Sequence, residues 1–566
     1  MKRVTLVNPP QFMPDIPQVT LPTLKAHLQK IGIETKVIDS NVEFYHWALS
    51  ERTKQEDKNK ITVPSLEEQS ILLRQPFKIE DVSSYLSSRV AVETALDSFA
   101  QRFGGHLGLI SSSLPYNYQH SEEVLAAVTD RSRNPHIEFF EKNLERIVTN
   151  TDIVGVTIGV PEQVIPAFTL MQLLRKHRPD IKILIGGNIY SRAQQEIETS
   201  PLRQLYDVGI YGEADIKLPQ IVQALRAGEN DLSRILSDTR VPNLSEEPIP
   251  DFTDLDLNLY FAPEPVLPVL GGRGCTYNKC HYCAITRMWA DGGKFRGKSA
   301  EKVLEETVKQ HDEHGVKLFK FIEESHNPRF AKDYTRLVIE RGLPFKTEVF
   351  ANLEPWILAQ DAEHVGKVIA KIMYGYETSS AYTVQLTDKR TVKRASQTDA
   401  IFERAYQTGM APFAFLMVGI PGESSGEALR TADDLIRQPA IKNHVLSVYS
   451  LDKWAPDALD KDLQDKKGLS DVQLQGDLAM SHSYKIRGAS QTEANRIVAA
   501  GILKKINQER PDLALMSAFQ PAARFYLFSK YGPDVAVNYL KQNQIPQVAE
   551  TLANESYLRA RIERTK

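Results

Sequence analysis

Three cysteines are the residues of this chain best suited to metal chemistry. Cys275, Cys280 and Cys283 lie within nine positions, and the rest of the 566 residues contains no other cysteine. A disulfide framework would need more cysteines, better spread and usually even in number, so the grouping indicates a metal site. The short spacings let one loop fold around a compact iron–sulfur cluster whose fourth iron has no protein ligand, as an open catalytic cluster requires. A second cysteine-bound cluster is impossible in this sequence.

A zinc knuckle with His281 as its fourth ligand is the structural alternative. His281 directly follows Cys280, and neighbouring residues seldom both reach one tetrahedral zinc ion. The usual zinc pattern also needs a second, distant pair of ligands, which is missing here. The spacing therefore favours the iron–sulfur interpretation.

A repeated strand-and-helix pattern must position this loop. Residues 265–274 form an apolar strand directly before the cysteines, and further strand–helix units follow to about residue 450. Six such units are enough for a partial (β/α)6 barrel, which places its active site at the C-terminal ends of its strands. The pattern predicts this barrel over residues 265–464 and a helical C-terminal domain over 465–566.

A separate α/β unit precedes the barrel. A strand at 4–10, a helix at 21–32 and a strand at 35–39 make a β-α-β start, and the alternation resumes at residue 151. This order predicts a doubly wound, Rossmann-like domain over 1–235, with its ligand beyond the C-terminal ends of the strands. Residues 43–150, which are charged and largely helical in pattern, are expected to be an insertion. The aperiodic segment at 236–264 is interpreted as a linker.

The stretch GGRGCTYNKCHYC at 271–283 resembles the signature of radical S-adenosylmethionine (SAM) enzymes. The resemblance implies that Cys275, Cys280 and Cys283 hold a 4Fe-4S cluster. SAM would chelate the open iron and be cleaved to methionine and a 5′-deoxyadenosyl radical. Tyr282 matches the aromatic residue that lies near the adenine. The commonest family pattern has three residues between the first two cysteines, and the extra residue here removes no ligand.

Later motifs match the same family in the same order. Glu323 and Glu324 lie in the stretch FIEES at the end of the second strand, where the family places a group near the SAM amine. Glu377 in YGYETSS matches a polar SAM contact. Gly419 and Gly422 belong to VGIPGES, which resembles the glycine-rich end of strand five, where the backbone passes close to the adenosine. A simple strand-to-helix turn is the alternative explanation for VGIPGES.

The first domain resembles the cobalamin-binding domain that precedes the barrel in one large radical SAM subfamily. The matching segments are VNPP, VGVTIG, ILIGG and IYGEAD. The glycines among them would let the backbone approach a large flat ligand. A doubly wound domain with another ligand, or none, is the alternative. The segments predict the following cobalamin contacts: Asn8, Thr157, Gly186, Gly187, Gly212 and Glu213.

Together these resemblances imply a cobalamin-dependent radical SAM methyltransferase acting on an unactivated carbon or phosphorus centre. One SAM would methylate cobalamin, and a second would yield the radical that removes a substrate hydrogen before methylcobalamin gives up its methyl group. The expected partners are a small-molecule or peptide substrate and an electron donor such as flavodoxin or ferredoxin. No catalytic residue is assigned. Tyr374 and His326 are candidates for a general base, and a structural hydrogen bond is the alternative for His326.

Other functions stay open. Members of the same subfamily use the same cofactors for cyclisation, ring contraction or other rearrangement without methyl transfer. A non-catalytic cobalamin-binding sensor or carrier would leave the barrel motifs superfluous. Radical methylthiolation is disfavoured because it needs a second three-cysteine cluster.

Composition and charge are those of an average globular protein. Lys plus Arg (69) nearly balances Asp plus Glu (72), so the net charge of −3 gives no support to nucleic-acid binding. The start lacks the features of a signal peptide, and no apolar run approaches the roughly 20 residues of a membrane helix. A cytoplasmic protein without a membrane span is therefore expected.

Overall fold

The protein is described by a computed structural model over residues 3–56, 65–238, 240, 242–289, 291–389, 395–488, 492–549 and 552–553. Part of the predicted insertion, residues 57–64, lies outside this range. Among the described residues, no helix has both the length and the apolar character needed to cross a membrane.

The chain begins with the predicted β-α-β unit. Strand β1 (Arg3–Asn8) and strand β2 (Thr35–Asp39) are parallel neighbours, and helix α1 (Thr20–Lys30) connects them. Val4, Leu6 and Val7 of β1 are at most 2% exposed. Because neighbouring side chains of a strand point to opposite faces, both faces of this sheet are covered.

The segment expected to be an insertion contains helices and one short hairpin. Phe44, Phe99 and Phe139 are buried and pack edge to face, so the helices share one core with the first sheet. Its elements are α2 (Ser40–Glu56), α3 (Leu66–Leu72), α4 (Val82–Gln101), β3 (His106–Leu107), β4 (Ser112–Ser113), α5 (Ser121–Ala127) and α6 (His136–Val148).

The alternation of strands and helices then resumes and completes the first sheet. Its further elements are β5 (Thr151–Thr157), α7 (Val164–His177), β6 (Lys182–Gly186), α8 (Asn188–Arg192), α9 (Gln194–Thr199), β7 (Val208–Gly209), α10 (Lys217–Arg226) and α11 (Ser233–Leu236). The five strands are parallel in the order β2-β1-β5-β6-β7. The order reverses between β1 and β5, which is where a doubly wound sheet binds its ligand.

Six parallel strands form the second sheet. The first part of this region comprises β8 (Val266–Val269), β9 (Gly272–Arg273), α12 (Ile285–Met288), β10 (Arg296–Gly297), α13 (Ala300–His314), β11 (Leu318–Phe321) and α14 (Pro328–Glu340). Strands β9 and β10 form a separate antiparallel pair outside the sheet. The second part of this region comprises β12 (Lys346–Ala351), β13 (Ile369–Glu377), α15 (Ala381–Thr387), α16 (Ala395–Gln407), β14 (Ala411–Val418), α17 (Ser425–Arg437) and β15 (Asn443–Val448). The strands β8, β11, β12, β13, β14 and β15 lie side by side in chain order, as in a partial barrel.

The C-terminal region is helical from residue 492, but residues 469–486 form a β-hairpin where a helix is predicted. Gly468, with a φ of 68°, ends the preceding helix, and exposure then alternates along the segment LSDVQL as in a strand. The elements are β16 (Leu451–Asp452), α18 (Pro456–Leu459), α19 (Lys461–Lys467), β17 (Leu469–Leu474), β18 (Ser481–Ile486), α20 (Thr492–Glu509), α21 (Pro511–Ser517), α22 (Pro521–Tyr531) and α23 (Val535–Leu540). Helices α20, α21 and α22 pack against strands of the barrel.

Candidate active site

The three cysteines lie in the loop that follows β9, close to the C-terminal end of β8. All three are half-buried thiols. Gly274 turns the chain into this loop with a φ of 80°, and a Cβ atom there would lie 2.3 Å from the carbonyl oxygen of Lys294. The entry to the loop therefore requires glycine.

His281 is committed to holding the loop. Its ring Nδ1 lies 3.0 Å from the carbonyl oxygen of Leu386, and its backbone N–H donates to the carbonyl oxygen of Thr387 at 2.9 Å. Because a carbonyl oxygen only accepts, Nδ1 carries a hydrogen and is not available to a metal ion. Both bonds tie the cysteine loop to the end of α15.

The spacing of the thiols fits an iron–sulfur cluster better than zinc. Within the described chain, one group of three His, Cys, Asp or Glu residues has its ligand atoms within 4.8 Å of one another, and it contains no cysteine. At least two of the three sulfur atoms are thus farther apart than the about 3.8 Å that Zn–S bonds of about 2.3 Å impose. Burial raises the pKa of the Cys283 thiol to about 11, so the thiolate form needs a positive partner such as a metal ion. Three thiols suit a cluster with one open iron.

Tyr282 and Glu377, both predicted SAM contacts, touch each other. The Tyr282 hydroxyl donates to Oε1 of Glu377 at 3.2 Å, and Nζ of Lys389 lies 3.4 Å from the same oxygen. Glu377 ends β13 with a φ of 61°, in the left-handed region. Burial, and next the Glu377 carboxylate, raises the pKa of the Tyr282 phenol well above its usual value, so this hydroxyl stays a donor. A fixed carboxylate therefore stands beside the cysteine loop.

Glu323 and Glu324 are adjacent but differ in their surroundings. Glu323 is buried, accepts the backbone N–H of Gly271 at 3.3 Å, and is paired with the ring Nδ1 of His326. Glu324 accepts from the indole Nε1 of Trp289 at 2.9 Å, and burial raises the pKa of its carboxyl. Its other oxygen, Oε2, is buried and has no hydrogen-bond partner within the described chain. Glu324 therefore has spare capacity for a ligand, whereas Glu323 is already occupied.

His326 and Tyr374, the two candidates for a general base, both lie in surroundings that do not suit that role. His326 is buried and bonded to Glu323, which is the structural role weighed for it. Tyr374 is completely buried in the barrel core, where its ring packs edge-on against Phe402. Burial raises the pKa of the Tyr374 phenol far above its usual value. Neither residue lines the cavity between the two sheets that is described below.

The glycines of VGIPGES are explained by local packing. Gly419 and Gly422 have φ values of 75° and 95°. A Cβ atom at Gly419 would lie 2.3 Å from Nδ2 of Asn495, and one at Gly422 would lie 2.7 Å from Cδ1 of Leu386. The turn between β14 and α17 thus needs both glycines whether or not a ligand is bound, and their contact with adenosine stays a prediction.

A cavity of about 300 Å³ lies between the C-terminal ends of the two sheets, and we call it the inter-sheet cavity. Its first wall contains five predicted cobalamin contacts: Thr157, Gly186, Gly187, Gly212 and Glu213. Its second wall belongs to the barrel and contains Leu270, Arg273, Met288, Trp289 and Ile322. Gly187 has a φ of 100°, and a Cβ atom there would lie 2.6 Å from the carbonyl oxygen of Ile158. The cavity is mostly apolar with few polar groups, as cofactor sites usually are.

Asn8, the sixth predicted contact, does not line the inter-sheet cavity. Its amide Nδ2 donates to Asp39 at 2.9 Å, and its Oδ1 accepts from Gln163 at 2.8 Å. Asn8 is 3% exposed. It therefore connects the ends of β1, β2 and β5 behind the cavity wall.

A buried ion-pair network crosses from the first sheet to the cysteine loop. Arg273, two residues before Cys275, donates to Asp215 at 2.9 Å and to Glu247 at 3.0 Å, and also pairs with Glu213. Arg296 of β10 donates to the same Glu213 at 2.6 Å. Glu213 therefore connects the first sheet to the two strands that flank the cysteine loop.

Sequence reasoning missed three residues of this site. Arg273 lies inside the cysteine signature but was not expected to pair with the first domain, and its guanidinium carbon lies 5.6 Å from the centre of the Trp289 ring. Trp289, which orients Glu324, is one of only four tryptophans in the chain, and its place soon after the cysteines is the one signal that could have marked it. Lys389 belongs to a polar segment in which no motif or periodicity marks it.

Solved structures of one protein share this fold. Structures of TsrM from Kitasatospora setae, a radical S-adenosylmethionine methyltransferase, have a TM-score of 0.53 to this chain. The structure with cobalamin and a [4Fe-4S] cluster bound is 14% identical and aligns over 83% of this chain and 77% of TsrM. The structure with tryptophan substrate and the SAM analogue aza-SAM bound is 13% identical and aligns over the whole of both chains. The predicted fold class is confirmed.

Two relatives found by sequence are named for different activities. An uncharacterised methyltransferase of Pyrococcus horikoshii is 22% identical over 366 residues, which are 60% of this chain and 74% of the relative. An anaerobic magnesium-protoporphyrin IX monomethyl ester cyclase of Synechocystis sp. is 26% identical over 171 residues, which are 28% of this chain and 33% of the relative. No protein-family model matches the chain.

Proposed function

We infer that this chain, a member of the cobalamin-binding radical SAM enzymes by its fold and its cysteine loop, is a methyltransferase for an unactivated carbon or phosphorus centre. The inter-sheet cavity is the observation that carries this inference. One wall presents the glycine-rich strand ends of the first sheet, and the other presents the barrel residues that flank the cysteine loop. A single cavity can therefore keep a corrin and a substrate next to the site of radical formation.

The chain's own residues would hold each group in place. Cys275, Cys280 and Cys283 would bind the 4Fe-4S cluster through three thiolates and leave one iron open. When bound, the cluster and SAM supply a 5′-deoxyadenosyl radical, and cobalamin supplies a methyl group. Thr157 and the glycines of the first wall would accept the corrin, because side chains larger than hydrogen would narrow that wall.

Two carboxylates near the loop would orient SAM. The free oxygen of Glu324 can accept a hydrogen bond from the SAM amine, while Trp289 fixes the other oxygen. Tyr282 and Lys389 hold Glu377 in one position, so this carboxylate is preorganised for a polar contact. The apolar side chains of Leu270, Met288 and Ile322 would keep water away from a reactive radical.

Rearrangement or cyclisation without methyl transfer is the second candidate function. The relative named as a cyclase supports it, and the same residues would bind the same cofactors. The methyltransferase named in Pyrococcus horikoshii matches a larger share of the chain, as does the TsrM fold. These two observations favour methyl transfer.

We also propose the partners that this chemistry needs. The substrate is a small molecule or a peptide, since the inter-sheet cavity is a bounded space rather than an extended surface. A protein such as flavodoxin or ferredoxin would deliver electrons to the cluster, which places the reaction in the cytoplasm.

The direct test is anaerobic reconstitution with iron and sulfide, with and without cobalamin, followed by SAM and a strong reductant. We expect 5′-deoxyadenosine in both cases and S-adenosylhomocysteine only with cobalamin, measured by mass spectrometry, and neither product from Cys280→Ala. 5′-Deoxyadenosine alone would favour the rearrangement candidate. Neither product from protein with an intact cluster would contradict the radical SAM assignment.

A pair of glycine variants tests whether cobalamin binds at the first wall of the inter-sheet cavity. Gly212 and Gly228 have φ values of 70° and 81°, and a Cβ atom at either would meet nothing within 4 Å. Only Gly212 lines the inter-sheet cavity, so leucine adds the same backbone strain at both positions but fills the cavity at one. We expect Gly212→Leu to retain about 10-fold less cobalamin, from overpacking of about 1–3 kcal/mol. Equal retention by Gly212→Leu and Gly228→Leu would refute this placement.

A further inference from the structure

A second cavity, which we call the insertion cavity, lies beside the helical insertion. It has a volume of about 710 Å³, and its walls come from the end of α4, the β3–β4 hairpin and the segment after β5. Pro161 and Glu162 line it, whereas Gly159 on the same segment lines the inter-sheet cavity. The two cavities are therefore neighbours at the end of β5, but the residues of the insertion cavity have no part in the radical site.

Three side chains in the wall of the insertion cavity form a hydrogen-bonded chain. The carboxylate of Asp97 bonds to Nδ1 of His106, and Nε2 of His106 lies 3.0 Å from the hydroxyl oxygen of Ser111. A carboxylate only accepts, so Nδ1 carries the hydrogen and Nε2 is left to accept the Ser111 proton. All three side chains are half-buried, so they are accessible from the cavity and partly shielded from water.

The surrounding contacts hold this chain in one arrangement. Gln101 donates to the second oxygen of Asp97 at 2.7 Å. Glu93 accepts the backbone N–H of Leu109 at 2.9 Å, and the Gly108 N–H donates to the carbonyl oxygen of Ser111 at 2.8 Å. The hairpin that carries His106 and Ser111 is thus fixed to α4, which carries Asp97. Nucleophile, base and orienting carboxylate are the three parts of a serine-hydrolase triad, which is defined by geometry and not by fold.

We propose that Ser111 and His106 form a second catalytic site that hydrolyses carboxylic esters, with Asp97 as a positioning residue. The Ser111 oxygen attacks the ester carbonyl carbon while its proton passes to Nε2 of His106. The ester C–O bond then breaks, the alcohol leaves with that proton, and the acyl group stays on Ser111. Water attacks the acyl-serine, and its proton returns through His106 to Ser111 as the carboxylic acid leaves. Water is the only co-reactant, and no electron is gained or lost.

The lining of the insertion cavity defines the class of ester. Asp97 and Glu162 bring carboxylates to its walls, and no lysine or arginine is among its described lining residues. An anionic ester would be repelled by these carboxylates. The other polar groups include serine and tyrosine hydroxyls and the amides of Gln11, Gln101, Asn117 and Gln119. The site therefore suits a neutral or cationic ester that carries hydrogen-bonding groups.

The test uses the full chain and a fluorophosphonate probe, which reacts covalently with an activated serine. We expect one probe per molecule, located at Ser111 by peptide mass spectrometry, and hydrolysis of p-nitrophenyl acetate by the unlabelled protein. Ser132→Ala is the matched control, because Ser132 is an exposed serine of the same insertion that does not line this cavity, and it should keep both properties. Ser111→Ala and His106→Gln should lower both rates by at least about 10³-fold.

The role of Asp97 has its own readout. In Asp97→Asn the amide no longer stabilises protonated His106, so we expect slower labelling and a pH profile of labelling shifted from that of the parent protein. An unshifted profile at the parent rate would show that Asp97 only supports the hairpin, and would overturn the triad.

Two further outcomes would overturn the proposal. One is labelling of Ser111→Ala at the parent rate, and the other is no labelling of a parent protein that still cleaves SAM. Ser111→Ala should produce 5′-deoxyadenosine as the parent does, because Ser111 lies outside the inter-sheet cavity. Failure of the esterase proposal can thus be distinguished from failure of the radical SAM assignment.

Discussion

Glu423, in the turn between β14 and α17, makes the stability of the barrel depend on pH. Burial raises the pKa of its carboxyl from 4.5 to about 7. The Gly419 N–H donates to one oxygen at 2.9 Å and the Thr378 hydroxyl to the other at 3.4 Å. These bonds favour the charged form, but they do not cancel the cost of removing it from water.

The sign and size of the effect follow from this difference in pKa. The folded state binds the Glu423 proton more tightly than the unfolded state, so the free energy of unfolding falls as the pH rises from about 4.5 to about 7. The pKa difference from 4.5 to about 7, at about 1.36 kcal/mol for each pH unit, gives an upper value of about 3 kcal/mol for the loss in free energy of unfolding. Water still reaches this half-buried side chain, which reduces the expected effect to about 2 kcal/mol.

Glu423→Gln removes the charge while its amide oxygen can still accept the Gly419 N–H. We expect the variant and the parent to differ little at pH 5, and the variant to be about 2 kcal/mol more stable at pH 8. For a cooperative unit of roughly 150–250 residues this is roughly 4–8 °C in the midpoint of thermal unfolding, measured by calorimetry at both pH values.

Glu427→Gln is the matched control in the same turn. The Ser380 hydroxyl and the N-terminal groups of α17 lower the pKa of the Glu427 carboxyl, so its charge stabilises the fold above the ordinary pKa. Glu427→Gln should therefore be less stable than the parent at pH 8, by about 0.5–1 kcal/mol for a weakened cap. An equal shift at pH 5 and pH 8 for Glu423→Gln, or a loss of stability at pH 8, would refute the reasoning.

Two further predictions concern the contacts around the cysteine loop. Arg273→Met should lower the free energy of unfolding by about 3–5 kcal/mol in chemical denaturation, because it leaves buried carboxylates without their cation. Arg240→Met, which breaks an exposed ion pair, is the control and should have no measurable effect. Equal losses of stability in the two variants would contradict the burial argument. Tyr282→Phe should raise the KM for SAM about 10-fold in 5′-deoxyadenosine formation through loss of the bond to Glu377, an effect of about 1.4 kcal/mol. Tyr277→Phe, the same change in the same loop, should leave this KM unchanged, and an equal rise in both variants would refute a specific role for Tyr282.

Features encoded in short stretches of sequence could be predicted. The cysteine spacing and the alternation of apolar strands with amphipathic helices are local patterns, so the loop and both parallel sheets followed from them. The direction of a side chain at a strand end is not local. Asn8 ends β1 as expected, yet Asp39 and Gln163, which are 31 and 155 residues away, hold its amide behind the cavity wall.

Pairing between distant charges could not be predicted either. Arg273 and Asp215 are 58 residues apart in the chain, and neither position has a periodicity that links it to the other. The hairpin at 469–486 was missed for a related reason, since β18 pairs with β17 on one side and on the other with β16, which is distant from it in the chain. Long-range contacts of this kind decide the details of the site, whereas the local pattern decides its location.

The ion pairs of Arg273 give a physical reason why the two sheets can share one cavity. β9 and β10, which carry Arg273 and Arg296, flank the cysteine loop, and both arginines bind Glu213 at the end of the first sheet. Buried ion pairs add little net stability after desolvation, but breaking one is costly, so they restrict the chain to the arrangement that satisfies every charge. The cysteine loop and the first wall of the inter-sheet cavity are therefore held at one fixed separation. Transfer of a methyl group to a substrate radical depends on such fixed placement, because reaction rates fall steeply when reacting groups move by even about 1 Å.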